Sequence, residues 1–442
     1  MRDGIRVLIV CVLAGLLAGC GGGGGSAPLL PAASTGGTGA PTGAATATPA
    51  PSTGGTASST AQAHVITADY LGTPWGSTTV TPAQAAPYLN WAETGLANTN
   101  ATAAAGIKTM VYMDVNRVQS NDPLYSQLSG SEYEQTCSGA PVTDFFDGVT
   151  QYVTNPTSSA LRAAYKSYVA SVTAGYSVDA IFEDDADPLS QDPSSGYFSS
   201  GPPCNYSDTD WIAGEIAMLA GLNVPQIVNG FSRMTSAEPI SSTTRLLTNS
   251  STIGGNMESC YVENSSPAEE GSWVWTGTED TSLLVTNESK YFECWAMDYS
   301  SAGSAIPSRL YTLASFLMTY NPTYSILREM YATPSGLHVM PESQLVPTQP
   351  VVPQPGAVAS LESGDVYVRE YRACYYAGAL IGQCAMVVND DTSAHATPAL
   401  TLSYSHTLVL NGAGILDGGT AAFNGAAPPS TLAGRSAFVA LP

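Results

Sequence analysis

The chain has 442 residues, with 36 acidic against 14 basic side chains and a net charge of −22; only three of the basic residues are lysines. That balance argues against nucleic acid or any other polyanion as a partner, because a phosphate backbone would be repelled. Its length allows one large domain and a small one behind an N-terminal leader.

The first six residues carry two arginines, and residues 7–18 are apolar. This fits a secretory signal peptide and is too short to span a bilayer. The segment closes with Leu17-Ala18-Gly19-Cys20, which resembles the bacterial lipobox. That resemblance implies cleavage before Cys20, diacylglycerol on its thiol and a place in the bacterial cell envelope as a lipid-anchored protein. Gly21 rather than Asp after the cysteine points to the outer membrane. Residues 21–63 are almost entirely Gly, Ala, Ser, Thr and Pro. They cannot bury enough surface to offset chain entropy, so they read as a tether with a reach of roughly 35 Å.

From residue 64 strand-like and helix-like runs alternate. The pattern predicts strands at 64–71, 107–114, 178–184, 225–231, 255–262 and 291–299, with a weaker one at 324–329. Helices are predicted at 82–105, 159–174, 208–222, 282–288 and 307–320, the third with good N-cap residues and the last with Pro307 in its first turn. The fold class is therefore α/β, a (β/α)8 TIM-like barrel over residues 64–345. Six or seven strands stand out, which leaves an irregular barrel or a doubly wound sheet as alternatives. A proline-rich stretch, 341–355, reads as the connection to residues 357–442. There, strands at 365–376, 383–389, 399–404, 407–410 and 436–441, separated by turn residues, predict a small antiparallel β-sandwich domain.

Six cysteines lie in this body: Cys137, Cys204, Cys260, Cys294, Cys374 and Cys384. An even number in an exported protein favours disulfides. Fifteen pairings are open, and pairing in sequence order is our expectation. No C-x-x-C occurs and the four histidines are scattered, so neither a metal nor a cofactor is expected.

Acids recur at predicted strand ends: Asp69, Asp114, Asp184 with Asp185, Glu258 and Asp298, with Asn229 in the same position on another strand. Parallel strands in one barrel would gather these groups on one rim, where barrel active sites sit. Aromatic residues lie beside them, namely Tyr70, Trp75, Tyr112, Tyr261, Trp295 and Tyr299. Carboxylates among aromatic rings suit a sugar, whose C–H faces stack while its hydroxyls take hydrogen bonds. One carboxyl would protonate the glycosidic oxygen, and another would act as nucleophile or as base for water.

The run Asp179-Ala-Ile-Phe-Glu-Asp184, followed by Asp185-Ala-Asp187, resembles the strand signature of many barrel glycoside hydrolases. It is similar to the Asp-Gly-x-x-x-Asp-Asn-x-Asp pattern of endo-α-1,4-polygalactosaminidase-type enzymes and of related hypothetical glycosyl hydrolase families. Ala180 stands for the usual Gly and Asp185 for the usual Asn. The resemblance implies a strand-end catalytic role for Asp184 and an acid/base role for Glu258. The expected function is a surface-anchored glycoside hydrolase cutting a polysaccharide or oligosaccharide. Asp69, Tyr70, Trp75, Asp114, Asp185, Asn229, Trp295 and Asp298 would hold the substrate. The alternative is a non-catalytic glycan-binding or cell-surface scaffold lipoprotein on the same barrel. The separation of the Asp184 and Glu258 carboxyls discriminates between them.

Overall fold

Eight parallel strands form a closed barrel in a computed structural model of the chain: β1 (Ile66–Leu71), β2 (Trp91–Thr94), β3 (Lys108–Met113), β4 (Ala180–Glu183), β5 (Gln226–Asn229), β6 (Thr252–Glu263), β7 (Tyr291–Met297) and β8 (Ser325–Glu329). The structure describes residues 62–73, 76, 79–146, 149–186, 200–201, 203–229, 231, 243–263, 266–267 and 272–442. The predicted leader, Cys20, nearly all of the tether, Trp75 and Asp187 lie outside the described residues. Closure is direct on both sides. Ile66 pairs with Ile326 across β1 and β8, and Asn229 pairs with Asn256 across β5 and β6.

Helices α1 (Leu96–Ala104), α2 (Ser159–Thr173), α3 (Asp208–Leu219), α4 (Ser272–Asn287) and α5 (Ile306–Phe316) connect the strands. Ser158 and Ser207 cap α2 and α3 by accepting from the backbone N–H of Leu161 and Asp210, and Pro307 sits in the first turn of α5. These positions satisfy N–H groups that have no partner inside the helix, or need none. Among the described residues no helix is long and apolar enough to cross a membrane.

The single helix expected at 82–105 is not formed. A turn of helix, Pro82–Ala85, is closed by a capping box between Thr81 and Gln84; the chain then enters β2 and afterwards α1. Pro87 cannot continue the first helix. Trp91, Ala92, Glu93 and Thr94 are all buried, so the segment lacks the one-sided apolar pattern of a surface helix. The helix expected at 282–288 runs the full length of α4. Between β3 and α2 an unanticipated three-stranded antiparallel sheet is inserted, made of Arg117–Gln119, Thr143–Phe146 and Val149–Val153.

The barrel is followed by a five-stranded antiparallel sheet. Its strands are β9 (Leu345–Pro350), β10 (Tyr367–Tyr376), β11 (Ala379–Asn389), β12 (Ser436–Leu441) and the short edge His406–Thr407. The proline-rich stretch thus supplies a strand rather than only a connection. Pro347 and Pro350 are tolerated because β9 lies at the sheet edge. No strand forms at 399–404, where Thr401 and Leu402 spend their backbone N–H groups on the Glu370 carboxylate. The strand expected at 407–410 divides into His406–Thr407 and Val409–Asn411. One face of the sheet packs on α5, where Tyr371 donates to the Leu317 carbonyl at 2.7 Å and Arg369 to that of Met318. A cation and a hydroxyl here satisfy the last carbonyls of the helix. Over the other face lie a ribbon of His395–Ala396 with Thr431–Leu432 and an apolar cluster around Val387 and Phe438.

Three disulfides join Cys137 to Cys204, Cys260 to Cys294 and Cys374 to Cys384. The first ties the inserted sheet to the segment before α3, the second binds β6 to β7, and the third binds β10 to β11.

Candidate active site

Side chains alternate in and out along each barrel strand, and the inward set forms three tiers. The lowest is apolar, with Ala68, Trp91, Met110, Ala180, Ile227 and Ile326, and Phe182 packs on it from above. Above it Arg328, fully buried, donates to Glu93 at 2.8 Å and to Glu293 at 3.2 Å. Its guanidinium lies 3.9 Å from the centre of the Tyr70 ring and 4.5 Å from that of Trp295. Burial pushes the Glu93 carboxyl up to about 7, against the pull of Arg328.

The top tier is the mouth. Asp184 follows β4, Asn229 ends β5 and Glu258 projects from β6. One amide nitrogen, Asn229 Nδ2, donates to Asp184 Oδ1 at 2.5 Å and to Glu258 Oε1 at 2.8 Å. Two oxygens held by one nitrogen can be no further apart than those bonds laid end to end, about 5.3 Å, so one oxygen of each carboxyl is held close to the other across a single amide. Asp184 also accepts from the Tyr112 hydroxyl at 2.8 Å and from the Asp185 backbone N–H at 3.0 Å.

Burial raises both carboxyls. Burial, then the charge of Asp184, pushes Glu258 up to about 7, and its bond from Asn229 pulls the other way. Burial and Asp185 also raise Asp184, but three donors, from Asn229, Tyr112 and the Asp185 backbone, favour its anion. Asp114 lies beside them, raised by burial and by the two neighbouring acids. Oxygens of Asp114, Asp184 and Asp185 lie within 4.8 Å of one another, and Arg117 pairs with Asp185 among them.

The structure thus brings together Asp114, Asp184, Asp185, Asn229 and Glu258. Tyr70 and Trp295 sit beneath them, each only 7% exposed, as floor against Arg328 rather than as open platforms. Asp69 and Asp298 do not join the group. Asp69 is out of phase with inward Ala68 and Tyr70, and it accepts from the His338 backbone at 2.6 Å and meets that residue's Nδ1 at 2.9 Å. Asp298 is out of phase with Trp295 and accepts from the Ser300 backbone at 2.9 Å. Both are fully buried. Trp75 lies outside the described residues. Among the described residues, the open aromatic rings of the mouth are Tyr112 and Tyr299, 48% and 52% exposed. Sequence reasoning missed Arg117 and Glu93 as participants. Glu93 lay inside the predicted helix, and Arg117 belongs to the unanticipated sheet.

No family model matches the chain, and no curated protein matches it. Solved structures similar to it include Aspergillus fumigatus Ega3 in complex with galactosamine, at 12% identity and a TM-score of 0.37 over 61% of this chain and 92% of that one. Another is the glycoside hydrolase domain of PelA from Pseudomonas aeruginosa, at 12% identity and a TM-score of 0.38 over 60% and 94%. A third is Eubacterium rectale Amy13B, at 9% identity and a TM-score of 0.43 over 86% and 97%. Likeness this distant assigns neither substrate nor residue roles to the chain.

Proposed function

We propose that the protein is a retaining glycoside hydrolase acting on a polysaccharide, with Asp184 as nucleophile and Glu258 as acid/base. The observation that carries this reading is the Asn229 amide shared by the two carboxyls. It brings an oxygen of each carboxyl within about 5.3 Å of the other, the close approach expected of a retaining pair rather than of an inverting one.

The steps follow from the two environments. Asp184, whose anion takes three hydrogen bonds, attacks the anomeric carbon. Glu258, held protonated near neutrality, gives its proton to the departing glycosidic oxygen as that C–O bond breaks. Glu258, now a carboxylate, takes a proton from water, whose oxygen attacks the anomeric carbon and displaces Asp184. Tyr112 and Tyr299 offer rings on which adjoining sugars stack. A binding module would not need two buried carboxyls held together on one amide.

The test is a polysaccharide panel with the first-formed anomer followed by NMR. The reading predicts retained configuration, loss of turnover in Asp184→Asn, and a covalent adduct on Asp184 with a 2-fluoro glycoside. An inverted first product would overturn it. Lipid attachment at Cys20, and with it a place at the outer membrane, is part of the same proposal; it predicts an acylated N-terminal peptide by mass spectrometry that is lost in Cys20→Ser.

A further inference from the structure

Arg117 reaches the mouth from outside the barrel, on the first strand of the inserted sheet. Its Nη1 pairs with the Asp185 carboxylate and its Nε lies 3.7 Å from Asp144 on another strand of that sheet. Its own backbone N–H donates to Asp114 Oδ1 at 2.8 Å. Asp185 is in the left-handed region, at φ 51°, a conformation that L residues adopt only when held. Asn116 holds its carbonyl at 2.9 Å and Arg117 its side chain. In that conformation the Asp185 N–H donates to Asp184 Oδ1.

Other groups that act on Asp184 are Tyr112 and Asp114 from the β3 side, Tyr70 and Glu93 from β1 and β2, and Glu258 from β6; Glu183 precedes it in sequence. All are acids. Of the cations, Arg328 lies deeper and is committed to Glu93 and Glu293. Like charges at this spacing favour protonation, and a guanidinium among them offsets it.

We propose that Arg117 is a positioning residue for hydrolysis: by pairing with Asp185 it keeps Asp184 ionised and its carboxylate oriented, which makes the inserted sheet part of the catalytic apparatus. This rests on the paired-carboxylate reading above. Arg117 is one-fifth exposed, so its replacement spares the barrel core.

The experiment compares the full chain with Arg117→Met and Arg117→Lys, by the pH profile of kcat/KM and by NMR titration of a 13C-labelled Asp184 carboxyl. In Arg117→Met the Asp184 titration and the acid limb of the profile both move up by about one pH unit, so that activity on the acid limb falls by up to about tenfold, while KM for a neutral substrate is nearly unchanged. Arg117→Lys, which keeps the charge, recovers most of both. An unmoved Asp184 titration in a folded Arg117→Met, with only the melting temperature lowered, overturns the proposal. A wild-type protein that hydrolyses no polysaccharide removes the hydrolase reading instead, while the titration still decides what Arg117 does.

Discussion

Glu93 and Arg328, 235 residues apart in the chain, meet at 2.8 Å in the middle of the barrel, where both are buried. Arg328 is also bound to Glu293, so one guanidinium serves two carboxylates. Removing it would strand both acids without a cation in the interior. Losing one partner of a buried ion pair costs about 3–5 kcal/mol. Arg328→Met is therefore expected to lose about that much stability, read from the urea midpoint at unchanged slope. A variant as stable as the parent would mean that the two carboxyls are carried as neutral acids.

The parity of side chains along a strand separates what was legible from what was not. The period-2 rule puts Asp114, Asp184, Asn229 and Glu258 on the inner face with Tyr112, Phe182, Ile227 and Asn256, and the same rule turns Asp69 and Asp298 outward. Strand ends alone suggested all six. Glu93 stayed hidden because β2 is four residues long and buried throughout, so it shows neither alternation nor a polar face. Arg117 stayed hidden for a different reason. Its partner Asp185 is out of phase with the strand and enters the mouth only through a positive φ that no local pattern specifies. The third tier of the barrel was thus readable from residue types and spacing, whereas the cations that balance it come from non-local pairing.

In the proposed mechanism Glu258 sets the alkaline side of activity. As an acid it must hold its proton, and its carboxyl is pushed up to about 7. Activity should therefore fall as pH rises through about 7, with a tenfold loss per unit beyond. Glu258→Gln should remove this limb for substrates with phenolate leaving groups, which depart without a proton. Added azide should then attack the Asp184 ester and give a glycosyl azide of retained configuration. An alkaline limb that survives in Glu258→Gln with such a substrate would take the acid role from Glu258.

Stability should decline as pH rises, through carboxyls that the mechanism does not use. Burial raises Glu183, which lies between β4 and α2 against the Tyr165 hydroxyl, up to about 8, and burial likewise raises Glu279 beside Thr319 to about 8. Folded-state values above the unfolded value of 4.5 mean that the native state keeps protons which the unfolded chain releases. That contribution is whole below about 4.5 and disappears as pH climbs through about 8. Tm should thus drop between about pH 5 and pH 8, and Glu183→Gln should make the drop shallower. A Tm that rises over this interval would show that other groups dominate the linkage.

The charge of the mouth should select the charge of the sugar. Asp114, Asp184, Asp185 and Glu258 converge there, and among the described residues Arg117 pairs with Asp185 at the rim. A polymer bearing free amines gains attraction on approach, a uronate polymer is repelled, and a neutral one feels neither. At equal chain length, kcat/KM should rank amine-bearing above neutral above uronate substrates. N-acetylating the amine polymer should remove its advantage. Raising ionic strength from about 0.1 M to 1 M, which shortens the screening length from about 10 Å to 3 Å, should narrow the ranking mainly through KM. Uronate polymers cut as fast as amine polymers at low salt would mean that the rim acids are neutral in the working enzyme. The same measurement in Arg117→Met should widen the ranking, because a positive charge has been taken from the path of the incoming chain.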